Sequence, residues 1–241
     1  MTHFAAQLSW KTVKKLADGG AVALLPAGST EAHGPHLPLS VDVIISEEVC
    51  RRVGSKRGEV GRQTVIFPAV GYALTDFAAP FAGTVSIEAA TARAQLVQVL
   101  KGIQGAGFKK VAVVNHHLEP AHFKLVREAA KEAGAIAVDH RHPPFGPKLG
   151  HEFMHGGSHA GRYETALMLA AAPQWVDEVE RAGLPRLEVD LPARIKAGAK
   201  NFLECGGDEA YFGDPRSATA EEGNALFDVL VEATLAALGE P

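Results

Sequence analysis

Two short apolar runs, each followed at once by polar residues, dominate the hydrophobic pattern of the chain. The first covers residues 21–25 and breaks at Pro26 and Gly28, and the second covers residues 109–115. Runs of this length, bounded by turn-forming residues, indicate buried strands. Each strand is followed by ligand-type side chains, and open α/β sheets place their sites at the carboxyl ends of strands.

Between these runs, apolar residues recur three and four positions apart, as on one face of a helix. The pattern predicts helices over residues 10–16, 41–53, 86–105, 120–133 and from 219 onward, and further strands over residues 64–70 and 135–139. Gly54 is expected to end the second helix and Ser86 to cap the third. Alternating strands and helices predict a mostly parallel sheet with right-handed crossovers in a three-layer α/β/α fold.

Composition narrows the class of protein. The 241 residues are 46% hydrophobic and 22% charged, and we expect residues 1–241 to form one domain. A formal net charge of −4 argues against nucleic acid or an anionic membrane as partner. No stretch approaches the roughly 18 apolar residues of a membrane span. The two cysteines, Cys50 and Cys205, have no metal-type spacing. We therefore expect a cytoplasmic protein.

The loop after the first apolar run carries Glu31, His33, His36 and Asp42 within twelve residues. In an extended segment, residues two apart point the same way, so Glu31 and His33 can face a common point. Asp42 falls in the first turn of a predicted helix, where the macrodipole favours an anionic side chain. Taken alone, this stretch is also compatible with a polar loop and a carboxylate at a helix start.

The second apolar run ends in His116, His117 and Glu119, so a histidine and a carboxylate again alternate just past a strand. Two such strand ends and Asp42 together supply five ligands: Glu31, His33, Asp42, His117 and Glu119. Imidazole and carboxylate donors suit zinc or manganese, and a carboxylate can bridge two ions. The sequence therefore predicts a site for two divalent metal ions.

Three motifs, GSTEAHGPHLPLSVD, NHHLEP and HAGRYET, together resemble the creatininase family of metal-dependent amidohydrolases and follow that family's order. The resemblance implies a creatininase-like fold and assigns the family's metal ligands to Glu31, His33, Asp42, His117 and Glu119. It assigns the histidine that handles protons to His159, with Glu119 assisting from the metal shell. It also implies a homo-oligomer, since family members are commonly hexamers.

The resemblance implies hydrolysis of a non-peptide C–N bond in a small, possibly cyclic amide by a hydroxide shared between two ions. Family members that open creatinine have an acidic residue before the proton-handling histidine and tryptophans in the preceding loop. Here Ser158 precedes His159, and the loop HEFMHGGSH has no tryptophan. We therefore expect creatinine to be a poor substrate. The alternatives are a formamide deformylase, a hydrolase that trims short peptides, or a non-catalytic metal-binding assembly protein.

Several further side chains are candidates for the walls and supports of the site. Tyr72, Phe77 and Phe81 lie in a long apolar loop that would cover the carboxyl edge of the sheet, or pack beneath that loop. His36 is expected to support a ligand or contact substrate, and Glu164 to support His159 or the start of its helix. The histidines between 140 and 155 are expected to divide between the site and solvent.

Overall fold

Five parallel strands form one sheet in the computed structural model, which describes residues 1–156 and 158–240. The strands are β1 (Thr2–Phe4), β2 (Val22–Ala27), β3 (Thr64–Ile66), β4 (Val111–Asn115) and β5 (Ile136–Ala137). Their spatial order is β1-β3-β2-β4-β5, so β2 lies at the centre of the sheet. The prediction of a mostly parallel sheet is confirmed, and the two apolar runs form the neighbouring strands β2 and β4.

Strand β2 is buried on both faces because helices cover both sides of the sheet. Val22 and Leu24 belong to one core cluster, whereas Ala23 and Leu25 belong to another. The alternation follows from the two-residue period of a strand. An uninterrupted apolar run, rather than an alternating one, is the sequence signature of this position.

Two layers of long helices enclose the sheet. The long helices are α1 (Trp10–Asp18), α2 (Val41–Glu59), α3 (Ala89–Gly105), α4 (Pro120–Ala133), α6 (Arg162–Ala171) and α10 (Ala220–Ala237). The short ones are α5 (His151–His155), α7 (Glu178–Gly183), α8 (Leu191–Lys196) and α9 (Phe202–Cys205). Helices α2, α6 and α10 cover one face, and α1, α3 and α4 cover the other. The three-layer α/β/α prediction is confirmed.

Among the helices of the described chain, none pairs sufficient length with sufficient apolar character to span a bilayer.

Helix α2 continues to Glu59 and does not end at Gly54, so the predicted boundary was wrong. A β-carbon added to Gly54 would lie 2.6 Å from the hydroxyl oxygen of Thr2 in β1. The glycine therefore marks the place where an edge strand passes close to the helix. A helix tolerates one internal glycine at a modest cost.

Helix α3 starts at Ala89, because Ser86 does not cap it. The Ser86 hydroxyl instead donates to Asp76 at 2.7 Å and accepts from the backbone N–H of Thr75 at 3.0 Å. These bonds fix the loop that precedes α3. The predicted start of this helix was three residues early because the Ser86 hydroxyl bonds within the preceding loop instead of capping the helix.

A segment near the carboxyl edge of the sheet contains α8 and α9. We call residues 187–213 the cover segment. Its Phe202 and Phe212 pack in a third apolar cluster with Ala78. The segment makes one antiparallel bridge, between Leu187 and Gly213.

Three backbone hydrogen bonds attach the cover segment to loops at the sheet's carboxyl edge. Gly34 N–H donates to the Ala210 carbonyl at 2.7 Å. Phe202 N–H donates to the Phe77 carbonyl at 2.9 Å, and Phe212 N–H donates to the His159 carbonyl at 2.9 Å. These attachments hold the cover segment against the residues predicted to be functional.

Arg57, buried near the end of α2, ties the last residues of the chain to the sheet. Its guanidinium donates to Glu240 at 2.9 and 3.1 Å, to the Gln63 carbonyl at 2.6 Å and to the Thr64 hydroxyl at 2.5 Å. Arg62 also lies 3.0 Å from Glu240. Burial raises the pKa of Glu240, but the bonds and charges of Arg57 and Arg62 outweigh burial and lower that pKa below its ordinary value of 4.5.

We expect Glu240→Gln to lower the free energy of unfolding at pH 7 by about 1–2 kcal/mol, because Arg57 loses its charged acceptor. A carboxylate whose pKa is lowered by folding stabilises the protein above its unfolded pKa and ceases to do so as pH falls. The difference between wild type and variant should therefore shrink below about pH 4.5, as measured by urea unfolding across pH. Asp18→Asn is the control, since the Lys14–Asp18 pair is exposed. A gap that stays constant from pH 7 to pH 3 would contradict the prediction.

Candidate metal centre and active site

The loop after β2 places Glu31 and His33 together, as the alternating pattern predicts. The loop closes on itself because Glu31 N–H donates to the Leu39 carbonyl at 3.0 Å. Both side chains are buried, and Nε2 of His33 lies 3.7 Å from Oε1 of Glu31. A carboxylate and an imidazole thus converge just beyond the central strand.

Asp42, in the first turn of α2, lies between two imidazoles. Its Oδ1 is 3.5 Å from His33 Nε2, and its Oδ2 is 3.1 Å from His117 Nδ1. Burial disfavours its charge, but the hydrogen bonds and charges of His117 and His33 outweigh burial and lower the pKa of Asp42 well below its usual range. One carboxylate oxygen facing each imidazole is the geometry expected of a bridging ligand.

Two buried hydroxyl groups orient the carboxylates. Ser29 donates to Oδ2 of Asp42 at 2.7 Å, and Thr75 donates to Oε2 of Glu31. The bond from Thr75 leaves Oε1 of Glu31 facing the histidines, whereas Oδ2 of Asp42 accepts from Ser29 and also faces His117. Outer hydrogen bonds of this kind fix the direction of a ligand and tune its affinity for metal.

Backbone carbonyl groups fix which nitrogen of each histidine carries hydrogen. His33 donates from Nδ1 to the Glu31 carbonyl at 3.2 Å, and His117 donates from Nε2 to the Leu74 carbonyl at 2.9 Å. A carbonyl oxygen only accepts, so these nitrogens are the protonated ones in a neutral ring. The other two nitrogens, Nε2 of His33 and Nδ1 of His117, then direct lone pairs at Glu31 and Asp42. Lone pairs and carboxylates repel unless a cation lies between them.

In the metal-free protein, protons supply that positive charge. Burial lowers the pKa of His33, but Glu164, Asp42 and Glu31 outweigh burial and raise it to about 10. Burial also opposes the charge of His117, and Glu31 and Asp42 raise its pKa well above 6.5. A metal ion would satisfy the same atoms without protons, since its ligands must be deprotonated. The donor set therefore fits a divalent cation.

Three groups of side chains each place their ligand atoms within 4.8 Å of one another. They are Glu31 with Asp42 and His117, His33 with Asp42 and Glu164, and Glu31 with His33 and His159. Asp42 belongs to the first two groups. Buried clusters of carboxylates and imidazoles that share one carboxylate suit a pair of ions.

A cavity of about 440 Å³ opens beside these clusters. Its lining comprises Glu31, Asp42, Phe77, His117, Leu118, Glu119, Pro120, Arg141, Phe153, Met154, Gly156, Ser158, His159, Glu164, Leu191, Pro192, Ile195, Lys196 and Phe202. Phe77 is the candidate aromatic wall that the structure places there. Trp10 and Trp175 are exposed at the surface and do not line the cavity.

Residues 6–238 match the family model for creatininase, described as creatinine amidohydrolase. The chain belongs to the creatininase family. The matched region spans both ligand loops and the cover segment. The resemblance carried by the three motifs is thus confirmed as membership.

Relatives within the creatininase family differ in the reactions that their names describe. The chain is 31% identical over 237 residues to a mycofactocin precursor peptide peptidase of Mycolicibacterium smegmatis, covering 95% of this chain and 88% of the relative. It is 27% identical over 196 residues to a creatinine amidohydrolase of Pseudomonas putida, covering 72% and 74%. A solved structure described as "Creatininase Mn" superposes with a TM-score of 0.75 at 22% identity, covering 99% of this chain and 98% of that chain. The chain is a hydrolase with the creatininase fold.

Glu119 stands apart from the three ligand groups of this creatininase-family site. It lines the cavity, and its carboxylate accepts from the backbone N–H of Phe77 at 3.2 Å. Burial raises its pKa to about 7, against the opposing charge of His117 and the Phe77 bond. The assignment of Glu119 as a fifth ligand stays a prediction.

Glu164, expected only as a support, lies close enough to be a ligand. Its Oε2 accepts from the Ala160 N–H at 2.7 Å and lies 3.4 Å from His33 Nε2. Burial raises its pKa to about 8, although His33 acts in the opposite direction. Its position in the first turn of α6, five residues after His159, was the available signal. Sequence spacing alone does not show that α6 points this turn at the ligand loop.

His159 reaches the centre from the loop before α6. Its Nε2 donates to the Ala32 carbonyl at 3.0 Å, and its Nδ1 lies 3.8 Å from Oε1 of Glu31. Burial and the charge of His33 lower its pKa well below 6.5. Its ring packs against that of Phe202 at 4.2 Å between centroids. The structure therefore brings His159 to the site, and its role in proton transfer stays a prediction.

The remaining histidines divide between the interior and the surface, and those between 140 and 155 are not among the residues that line the cavity. His36 is buried and hydrogen-bonds the hydroxyl of Thr165 at 2.9 Å. His140 is also buried, and its ring stacks on that of His116. His142, His151 and His155 are exposed.

We expect Gly28→Ala to weaken metal binding, because an added β-carbon would lie 2.6 Å from Cβ of Asp42 and 2.7 Å from its carbonyl carbon. The first turn of α2 would have to move, which should lower metal affinity about 10–100-fold, as disturbed ligand supports do. Competition with a chromophoric chelator measures this. Gly102→Ala is the matched control, since nothing lies within 4 Å of the added atom there. Equal affinities in the two variants would refute the expectation.

Proposed function

We propose that this protein is a metal-dependent hydrolase that cleaves an amide C–N bond with the help of two divalent ions, zinc or manganese. The observation that carries the proposal is the close approach of Nε2 of His33 and Nδ1 of His117 to the buried carboxylates of Glu31 and Asp42, while a backbone carbonyl engages the other nitrogen of each ring. A structural role would require no such arrangement next to an open cavity.

Glu31, His33, Asp42, His117 and Glu119 are the proposed ligands, with Asp42 as the bridge. Bound ions would polarise a substrate carbonyl and lower the pKa of a water molecule towards neutrality. Ser29 and Thr75 would hold the carboxylates in their coordinating directions. The solved relative described with manganese supports the choice of metals.

His159 is the proposed proton carrier for the departing nitrogen. Its Nε2 is engaged by the Ala32 carbonyl, which leaves Nδ1 on the side of Glu31 and the cavity. Proton delivery would therefore run through Nδ1. Glu119, on the wall of the same cavity, is placed to assist, and its Phe77 bond limits its rotation.

The substrate proposed from sequence is a small amide, linear or cyclic. A cavity of about 440 Å³ with apolar walls also has room for a short peptide, since pockets for drug-sized ligands span about 300–1,000 Å³. The relative named a peptide peptidase favours this second candidate. Phe153, Met154 and Ser158 line the cavity where a creatinine-opening enzyme would present tryptophan and an acid, which supports creatinine being a poor substrate.

The function is tested with a panel of cyclic amides, formamides and short peptides, creatinine included. We expect chelator-treated protein to be inactive and added zinc or manganese to restore cleavage of at least one panel member. Asp42→Ala should lose activity and both ions together, whereas Asp177→Ala, at the exposed start of α7, should keep both. No metal-dependent cleavage anywhere in the panel would count against the proposed function.

His159→Ala separates a proton carrier from a ligand. We expect unchanged metal content and a turnover lower by about 10²–10⁴-fold, as on loss of a general acid. His142→Ala, a change to an exposed histidine, should leave turnover unchanged. Loss of one ion from His159→Ala, with rescue by excess metal, would make His159 a ligand. Unchanged turnover would remove it from the mechanism.

A further inference from the structure

Arg141 lies on the wall of the active-site cavity with one face of its guanidinium covered. The guanidinium carbon sits 3.1 Å from the ring centroid of Phe123, which is buried in α4. The side chain is 27% exposed, so much of it is removed from water. Stacking on an aromatic ring holds a guanidinium in place while leaving its edge free to donate.

The positive charge of Arg141 is incompletely compensated by its neighbours. Its nearest acid, Asp139, lies 3.7 Å from Arg141 Nε and is also 3.7 Å from Arg127 and from His142. A separation of 3.7 Å is too long for a hydrogen bond. Within the described residues, the buried Nε of Arg141 has no hydrogen-bond partner. The terminal nitrogens of the guanidinium make no hydrogen bond in the part of the chain that the structure describes, so this edge of an incompletely paired cation can bind an anion from the cavity.

The basic character continues outward from the cavity. Arg141 and Pro120 also line a neighbouring groove on α4, with a volume of about 610 Å³. The charged residues of that groove are Lys124, Arg127, Glu128, Lys131 and Arg141. Inside the cavity, Lys196 of α8 is a second basic lining residue. The cavity lining thus contains two basic side chains, and Arg141 also reaches the α4 groove.

We propose that Arg141 is a carboxylate-binding subsite of this cavity, and that the amide substrates carry a carboxylate near the scissile bond. A guanidinium edge binds a carboxylate with two parallel hydrogen bonds, which gives direction as well as charge. The proposal rests on the proposed function, because it takes the cavity as the substrate site. The carboxylate could belong to the end of a short peptide or small amido acid, or to an acidic side chain of a longer peptide lying along the α4 groove.

The test compares two probes that differ only in that group: N-acetyl-L-phenylalanine and its carboxamide, titrated calorimetrically into zinc-loaded protein. The aromatic ring suits the apolar walls. We expect the acid to bind about 10–100-fold more tightly, as for a hydrogen bond between charged groups. Arg141→Gln should remove this preference. Arg127→Gln is the matched control, since Arg127 faces the same Asp139 but lines the α4 groove only.

A second pair of probes distinguishes the source of the carboxylate. Acetyl-Phe-Ala-Glu-amide and its Gln counterpart place the acid on a side chain in a longer peptide. Recognition of a terminal carboxylate predicts a preference only in the first pair of probes. Recognition of an acidic side chain predicts a preference in the second pair that Arg141→Gln removes and Lys131→Gln weakens.

Two results would overturn the proposal: equal affinities within both pairs for the wild type, or a preference that Arg141→Gln leaves intact. The second would mean that the metal centre binds the acid. If Arg141→Gln lowers the melting temperature, Arg141→Lys serves as the second variant. Lysine keeps the charge but lacks the planar guanidinium, so this variant should retain only part of the preference for the acid. Binding and cleavage are measured separately, so Arg141-dependent binding with no cleavage of any amide would refute the proposed function and leave the subsite standing.

Discussion

The rest of the structure depends on how the negative charges of two buried carboxylates, Glu31 and Asp42, are balanced. Glu31, in the loop after β2, and Asp42, in the first turn of α2, are both buried. Backbone carbonyl groups hold His33 and His117 so that one nitrogen of each ring faces these carboxylates. Burying carboxylates is costly unless positive charge compensates them. Protons on His33 and His117 would provide compensation without metal, and in the proposed function divalent ions take their place. The hydroxyls of Ser29 and Thr75 and the missing side chain of Gly28 serve to keep this geometry fixed.

Ligands and walls of the site come from different parts of the chain. The proposed ligands follow β2 and β4 or begin α2, so the most buried part of the sheet fixes their positions. Much of the wall comes from Phe153, Met154, Gly156 and Ser158 and from the cover segment, which packs over the sheet edge. The chemistry and the choice of substrate therefore depend on separate stretches of sequence. This separation is consistent with relatives that share the fold while carrying the names of different reactions.

The sequence predicted what local pattern determines. Apolar runs identified β2 and β4, Pro120 and Thr219 marked helix starts, and alternating donors located both ligand loops. The misses have a tertiary cause. Gly54 does not end α2, because the glycine is there to let β1 pass close to the helix. Ser86 does not cap α3, because its hydroxyl bonds residues that lie ten and eleven positions earlier in the loop. Glu164 and α8 reach the site only through the packing of α6 and the cover segment, and periodicity does not report such long-range contacts.

The attachment of the cover segment has a consequence for how molecules reach the metals. Its backbone bonds end on Gly34, Phe77 and His159, which lie on three different loops around the centre. Raising the segment as a lid would break all three bonds and pull directly on the backbone of His159. A molecule that binds while these bonds are intact therefore meets a wall attached to three loops, and the shape of the attached segment limits what the cavity can hold.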